Sequence, residues 1–440
     1  MSGLLILVVF ELALFLLAFT VSGKDIMAPS VVMCIMFLIS TMFALLNVEK
    51  WNIKYDFASV MILTSGILVF IIAENAFRYI FCGQLRGKRV IREYHDVKYI
   101  HINSYVLVMT ILFDLIVCLI YFKQIMSIVG GNLTNISSYF LAYRRIGISN
   151  LKYQDGQMVS GAITQIMKVV IATGYISSYI FINNWISNMK RGKEQVLHIV
   201  IVFLSIIPSV MTGGRTGILK MISAMLIYYY ILWHQKNGWT RNLSWKYIRI
   251  GIIGFLLGCP IFYNSLVLLG RSTNRQFVDY ISDYVGSSIV LFDDYVKNPI
   301  KCEAFGEETL FGVKKLLGFL GFGESSQAYN LEFRSVGIGS SNVYTFFRRP
   351  LHDFGLVGMY IFVMCVAFLF SWIYFKHIKY QKQEKCELWV LAYGYLYYWI
   401  VCSSIVQYSV NYISVGAVLI ISMIVILFRI VRKERVQTQN

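Results

Sequence analysis

The feature that most constrains this chain is a series of apolar runs, each of roughly 20 residues, that recurs along almost its whole length. An α-helix needs a run of about this length to cross the hydrocarbon core of a bilayer. Only 14% of the residues are charged, whereas soluble domains carry about 25%. The sequence therefore predicts an all-α fold, a polytopic transmembrane helical bundle that forms one membrane domain over residues 1–440.

The pattern contains about eleven such runs, and ten to twelve fit it. The first run contains Glu11 and has no basic segment before it, which favours a membrane helix over a cleaved signal peptide. Residues 270–353, between the eighth and ninth runs, predict a large loop with helical pieces at Gln276–Lys297 and Glu308–Phe319. The runs fall at 3–22, 27–47, 57–82, 101–122, 157–183, 196–212, 215–235, 247–269, 354–375, 388–406 and 411–431.

Lysines and arginines are concentrated in alternate connections between the runs, which predicts that those connections face the cytoplasm. The N-terminus is then outside, the C-terminus is inside, and the loop 270–353 is outside together with 123–156 and the turn 212–215. Contact with anionic lipid accounts for the net charge of +17. No nucleic-acid-binding motif is present, so we expect the lipid bilayer as a partner and no nucleic acid.

Only one of the six histidines, His352, falls on the predicted outer side. An imidazole can accept or donate a proton near neutral pH. His352 is therefore the first candidate for a catalytic residue, and the neighbouring Asp353 is the second. The competing interpretation is structural, with His352 an interfacial residue at a helix start that is satisfied by Asp353.

Arginines on the predicted outer side are candidates for binding phosphate, because the guanidinium fork donates bidentate hydrogen bonds and stays charged. Arg215 is the strongest of them. It lies in the turn Gly213-Gly214-Arg215-Thr216-Gly217, where glycines let a ligand approach the backbone and a helix N-terminus favours anions. The alternative for any one arginine is lipid-headgroup contact or simple solvation. The set comprises Arg144, Arg145, Arg215, Arg271, Arg275, Arg334, Arg348 and Arg349.

The cysteines and acidic residues do not predict a metal site. Cys302 is the only one of eight cysteines in a predicted outer loop, and no CxxC spacing occurs. A solvated helix face explains the pair Asp293-Asp294, and the outer loops lack His, Cys and Asp at metal-ligand spacing. We therefore expect no metal and no other cofactor.

Ionisable side chains inside the apolar runs usually indicate a functional site. We expect structural pairs here, Glu74 with Arg78 one helical turn away and Asp114 with Lys168 between helices. Coupling to an ion is the alternative.

Two stretches of the chain, 212–217 and 342–358, carry a family resemblance. With them, and with about eleven helices and one large late outer loop, the chain resembles the Wzy-type oligosaccharide repeat-unit polymerases, the family of O-antigen and capsule polymerases. The first stretch holds the Gly-Gly-Arg-Thr turn. The second reads Asn342-Val343-Tyr344-Thr345, then Pro350, then Asp353-Phe354-Gly355-Leu356-Val357-Gly358.

The resemblance implies a glycosyltransferase of the bacterial cytoplasmic membrane with its active site on the outer face. An undecaprenyl-diphosphate-linked oligosaccharide donates its chain to the terminal sugar of a lipid-linked repeat unit, and lipid diphosphate leaves. Arg215, Arg271 and Arg275 would hold the diphosphate and stabilise its charge. His352 would orient or deprotonate the acceptor hydroxyl, with Asp353 as second base. No metal is required, and a chain-length regulator is a further candidate partner. The other substrate-binding candidates are Arg144, Arg145, Arg334, Arg348, Arg349, Asn342 and Tyr344.

Three other functions stay open at this point. An O-antigen ligase, related to the polymerases, shares the chemistry but uses another acceptor. A lipid-oligosaccharide flippase would line a central cavity with charge and has no need of a large outer loop. A membrane acyltransferase would use a histidine nearer the cytoplasmic side, such as His101 or His198.

Overall fold

Helices form nearly all of the regular structure, because an apolar run inside a bilayer can satisfy its backbone hydrogen bonds within a helix. A computed structural model describes residues 2–83, 97–130, 135–153, 158–187, 192–239, 260, 263–265, 276–322, 331–337 and 339–437. Within these residues, nine helices are long and apolar enough to cross a membrane. The prediction of an all-α polytopic helical bundle is confirmed.

The two remaining predicted runs have different outcomes. The run 247–269 lies almost wholly outside the described residues. The run 388–406 corresponds to a helix, Gln383–Val401, which is not among the nine. Its first turns carry Glu384, Lys385 and Glu387, so every 18-residue stretch of this 19-residue helix contains three charged residues.

The elements are numbered here in chain order over the described residues. Two helical pieces of the large loop were predicted, and both are present as α9 and α10. The helices are α1 Ser2–Val21, α2 Pro29–Leu46, α3 Phe57–Gly83, α4 Ser104–Val129, α5 Ile136–Tyr153, α6 Gly161–Ile186, α7 Gly192–Met211, α8 Thr216–Asn237, α9 Phe277–Lys297, α10 Phe311–Phe319, α11 Arg348–Ser371, α12 Gln383–Val401, α13 Ser409–Tyr412 and α14 Val415–Gln437, with a π-helical turn at Trp372–Ile378 and a β-hairpin of Arg334–Val336 and Gly339–Ser341.

The chain divides into two compact units. The first unit comprises Met1–Val90, Arg275–His377 and Trp399–Val415. The second unit comprises Ile91–Asn274, Ile378–Tyr398 and Gly416–Asn440. That all 440 residues act as a single membrane domain stays a prediction.

In the first unit, α1, α2 and α3 pack on one another, α11 lies along α3, and α9 lies along α2. Glycines allow two of these close approaches. A Cβ at Gly286 of α9 would lie 2.8 Å from the backbone nitrogen of Ala44 in α2, and one at Gly66 of α3 would lie 2.7 Å from the Phe347 ring. A side chain at either position would force the helices apart, so these glycines bring α9 and α11 against the spans beneath them.

At each end of the first unit, the connections lie together as the alternating topology predicts. At one end, the connection after α1 meets the end of the α11 span, where Tyr374 donates to Asp25 at 2.9 Å. At the other end, the connection between α2 and α3 meets α9, where the amide of Asp56 donates to Asp293 at 2.9 Å. Connections assigned to one side of the membrane therefore lie together. That the second of these ends faces outside stays a prediction.

The second unit is built on α6, which packs against α7 and α8, while α4 packs against α7. At one end of this unit, α5 covers the ends of the spans with a cluster that includes Tyr121, Phe140 and Met211. At the other end, Asn184 accepts from the amide of Ile100 and donates to its carbonyl, both at 2.9 Å. These two groupings also follow the predicted alternation.

The ionisable side chains within the spans do not form the predicted ion pairs as their main contacts. Glu74 accepts two hydrogen bonds from Ser30, from the amide at 2.7 Å and from the hydroxyl at 3.0 Å, while Arg78 donates to the carbonyl of Val21. Asp114 accepts from Thr173 at 3.0 Å. Lys168 donates to Gln165 on its own helix at 2.5 Å. Nearby hydroxyls compete well for buried carboxylates because they donate at little desolvation cost.

Candidate functional site

The candidate site of the first unit is built where α11 begins. Residues 348–354 form a short helical segment, and the chain then turns sharply at Gly355, where φ is 67° and ψ is −171°. This backbone conformation is nearly restricted to glycine. Arg348 and His352 are four residues apart on that short segment, so their side chains leave the same helix face.

Both ring nitrogens of His352 are engaged. Nε2 lies 2.7 Å from Oε1 of Glu307, and Nδ1 lies 3.1 Å from the hydroxyl of Tyr295. A carboxylate can only accept a hydrogen bond, so Nε2 carries the proton of this pair. In the neutral imidazole, Nδ1 then accepts from the Tyr295 hydroxyl, which fixes the tautomer and the ring orientation.

Local contacts set the ionisation of the two partners of His352. Burial disfavours the charged form of Glu307, but hydrogen bonds from His352 and from the amides of Glu303 and Ala304 outweigh it, so the pKa of this carboxyl lies below its usual range. Burial raises the pKa of Tyr295 to about 12. The arrangement is thus a carboxylate, an imidazole and a phenol in a single hydrogen-bonded chain.

Asp353 binds the preceding loop and makes no hydrogen bond to His352 within the described part of the chain. Its two carboxylate oxygens accept from the amides of Glu308 and Thr309, at 3.2 and 2.6 Å. Ser409 also holds this loop, because its hydroxyl donates to the carbonyl of Thr309 at 3.0 Å. Because these amides bind Asp353 within a separate turn, α10 begins at Phe311, three residues later than predicted. The role of Asp353 as second base stays a prediction, and both of its oxygens already have partners.

Arg348 is held within the protein. Its side chain is 1% exposed, it donates to Glu308 and, at 2.7 Å, to Glu332, and its guanidinium lies 4.4 Å from the centroid of the Tyr295 ring. Burial raises the pKa of Glu308, and the positive charge of Arg348 opposes this rise. A buried charge needs such compensation, so Arg348 neutralises two carboxylates and supports the tyrosine that orients His352.

Arg349 differs from its neighbour. The residue is half-buried, and its one hydrogen bond to the described residues is a long one of 3.5 Å from Nη1 to the carbonyl of Glu308. Its Nε is buried and has no hydrogen-bond partner among the described residues. The Nε of Arg348 also lacks a partner there, but Arg348 donates to two carboxylates, and Arg349 hydrogen-bonds to none among the described residues. Arg349 is therefore the one of the two without a bound anion.

Three further predicted binding residues lie in the same unit. Arg334 donates to the carbonyl and the carboxylate of Asp294 at 2.9 and 3.0 Å, which ties the hairpin to the end of α9. Tyr344 is buried and donates to the carbonyl of Glu332 at 3.1 Å. Asn342 follows the hairpin and is partly exposed. Arg334 and Tyr344 thus support Glu332 and Tyr295 rather than face solvent.

Three further predicted arginines, Arg144, Arg145 and Arg215, belong to the second unit. Arg215 is buried at the boundary of α8, and Arg144 of α5 donates to the carbonyl of Gly213 at 2.9 Å. Gly213 has a φ of 67°, which confirms a glycine-dependent turn. Arg145 is exposed. Arg271 and Arg275 lie outside the described residues.

Sequence reasoning missed four contributors to the His352 cluster, namely Tyr295, Glu307, Glu308 and Glu332. It also missed that the sulfur of Cys302 and donor atoms of Glu307, His352 and Asp353 all lie within 4.8 Å of one another. The outer loops lack these residues at metal-ligand spacing along the chain, and such spacing does not reveal contacts across more than 40 residues. The Glu307-Glu308 pair after Gly306 is the one local signal that could have drawn attention to this turn.

No family model, curated protein or solved structure matches this chain. The resemblance to oligosaccharide polymerases therefore rests on the motifs at 212–217 and 342–358. A function can be argued only from the groups that the site contains.

Proposed function

We propose that this protein is a membrane glycosyltransferase that transfers a lipid-diphosphate-linked oligosaccharide to the hydroxyl of a lipid-linked acceptor sugar, on the outer face of the bacterial cytoplasmic membrane. The observation that carries the proposal is the Glu307–His352–Tyr295 chain beside Arg349, at the end of the first unit that is predicted to face outside. The family resemblance of residues 342–358 supplies the substrate class.

The reaction needs a proton acceptor and cationic donors. The acceptor oxygen forms a bond to the anomeric carbon of the donor sugar while the bond from that carbon to the phosphate oxygen breaks. The acceptor proton passes to a base, and undecaprenyl diphosphate leaves as an anion. General bases contribute about 10²–10⁴-fold to such reactions, and preorganised donors that meet the developing charge contribute similarly.

We assign the base to the Glu307–His352 pair. The side chain of Glu307 is 11% exposed and that of His352 is 1% exposed, so an acceptor hydroxyl reaches the carboxylate first. Glu307 accepts the proton, while His352 behind it holds the carboxylate in one orientation and shares its charge. His352 is thus a positioning residue for Glu307, whereas the resemblance implies that His352 itself orients or deprotonates the acceptor hydroxyl.

Cationic groups would replace a metal ion in neutralising the diphosphate. Arg349 hydrogen-bonds to no carboxylate among the described residues, whereas Arg348 donates to Glu308 and Glu332. Arg215, Arg271 and Arg275 remain further candidates through the resemblance. A guanidinium that binds both phosphates holds its charge throughout the reaction.

The test uses purified protein in nanodiscs with synthetic lipid-diphosphate repeat units, with longer glycans as the readout. We expect elongation by the wild type and by Lys315→Ala, a control at an exposed position of α10. His352→Ala and Arg215→Ala should lose elongation without loss of folded protein. Full activity in both variants would remove these site assignments.

The same preparation separates the alternatives. A ligase would transfer the glycan once to a different acceptor and would produce no ladder of repeats. A flippase would move lipid-linked repeats across a vesicle membrane and form no new glycosidic bond. In cells, loss of a polymerase leaves single repeats at the surface, whereas loss of a flippase retains them inside.

A further inference from the structure

The His352 cluster contains a set of metal donors that the proposed reaction does not use. The sulfur of Cys302, a carboxylate oxygen each of Glu307 and Asp353, and a ring nitrogen of His352 lie within 4.8 Å of one another. A thiolate, an imidazole and carboxylates are the ligands that zinc takes in proteins, usually four at a time. Calcium and magnesium prefer oxygen ligands alone.

These donors are held in place by surrounding groups. Tyr295 binds Nδ1 of His352 at 3.1 Å and leaves Nε2 directed at the other donors. The amide of Ala304 binds Glu307 at 3.1 Å, and two amides bind Asp353. A carboxylate has about four acceptor positions, so lone pairs remain for an ion. Outer contacts of this kind are typical of metal ligands.

A separate observation also points to a cation. Glu308 is fully buried, and its Oε1 has no hydrogen-bond partner among the described residues. This oxygen lies 3.7 Å from Nε2 of His352. A buried carboxylate oxygen without a donor is costly, and a cation between these atoms would compensate it.

The charge of the cluster fits a divalent ion. Among its described side chains, carboxylates outnumber guanidinium groups by two when His352 is neutral. The carboxylates are those of Asp294, Glu307, Glu308, Glu332 and Asp353, and the guanidinium groups are those of Arg334, Arg348 and Arg349.

We propose that this cluster binds one zinc ion through Cys302, Glu307, His352 and Asp353. The ion displaces the thiol proton of Cys302, which passes to solvent. The proton of His352 moves from Nε2 to Nδ1, which then donates to the Tyr295 hydroxyl, so the imidazole stays neutral. Cys302 and Glu307 are the more exposed members and give the ion access, while His352 and Asp353 lie deeper. With Zn–N at about 2.0 Å and Zn–S at about 2.3 Å, the ion fits once Nε2 and Glu307 move apart from their hydrogen-bond distance of 2.7 Å.

The direct test measures zinc alone. Full-length protein in detergent is stripped with a chelator, and zinc is titrated against a chromophoric competitor. We expect one tight site per chain in the wild type. Cys302→Ser should weaken binding by at least about 10-fold, the lower end of losses at metal sites. Cys365→Ser, which removes the exposed free thiol of α11, is the matched control and should bind like the wild type.

Cobalt gives a second readout, because a thiolate ligand adds a charge-transfer absorption. The band should appear in the wild type and in Cys365→Ser and be missing in Cys302→Ser. If Cys302→Ser does not fold, Glu307→Gln replaces it and should show weaker zinc binding. Wild-type affinity in Glu307→Gln or Cys302→Ser, or no tight site in the wild type, would overturn the proposal.

The zinc proposal and the proposed glycosyl transfer can be disproved independently of each other. Binding is measured without any glycan, so it stands if the protein makes no polymer. If the protein does polymerise, an ion on Nε2 of His352 and on Glu307 removes the base, and zinc should inhibit elongation. Cys302→Ser should then require at least about 10-fold more zinc for the same inhibition.

Discussion

Two charged regions of the molecule are formed in different ways. The cluster around His352 in the first unit joins residues from separate segments, whereas the turn around Arg215 in the second unit is formed by consecutive residues. The cluster draws Tyr295, Glu307 and His352 from three distant segments of the chain. The turn is local, with Gly213 in the left-handed region and Arg215 two residues on. A site assembled from distant segments depends on the fold around it, whereas a turn depends mostly on its own residue types.

Adjacent arginines show what this difference means for function. Arg348 and Arg349 are equivalent by residue type, but among the described residues the first donates to two carboxylates and the second only to a carbonyl. Their roles follow from the partners that the fold provides. The comparison predicts separable effects on stability and on activity.

The largest expected effect is on stability. Arg348→Met removes the charge that compensates Glu308 and Glu332, and breaking a buried pair in this way costs about 3–5 kcal/mol. The free energy of unfolding, measured by denaturant titration in micelles, should fall by that amount. Adding Glu308→Gln should restore part of it, because one uncompensated charge is then gone. A single variant as stable as the wild type would show that the cluster is not held by this pair.

A smaller effect is expected on activity at the next position. Arg349→Gln should lower the rate of elongation by about 100-fold, since the loss of one donor to developing charge has this size. Its melting temperature should stay close to the wild-type value, because the one hydrogen bond of Arg349 among the described residues is a long one to the carbonyl of Glu308. The rate is measured on purified protein beside the control Lys315→Gln. Equal activity in the two variants would mean that other arginines bind the phosphate.

The smallest effect is expected at the local turn of the second unit. Gly213 has a φ of 67°, and a Cβ there would lie 3.0 Å from Cδ of Arg144. Gly213→Ala should therefore cost about 1–2 kcal/mol, the penalty for a side chain in the left-handed region. Gly147→Ala on the neighbouring helix α5 is the control and should be neutral or stabilising by up to about 1 kcal/mol. Thermal melting of both variants checks this, and equal melting temperatures would contradict the strained turn.

The spans were predictable because each needs only a long apolar run, and nine of them appear among the described residues. The glycine turn at Gly213 was predictable for the same reason, since one residue type determines it. Glu307 was not, because its partner His352 is 45 positions away and only packing of the loop onto α11 joins them. Arg348 and Arg349 could be identified as candidates, but their different partners could not.

The central claim is that the Glu307–His352 pair removes the proton in a glycosyl transfer. The most direct measurement is the initial rate of glycan elongation by Glu307→Gln, which keeps the shape of the side chain but removes its charge. We predict a rate lower by about 10²–10⁴-fold with an unchanged melting temperature. An elongation rate within twofold of the wild type would contradict the account.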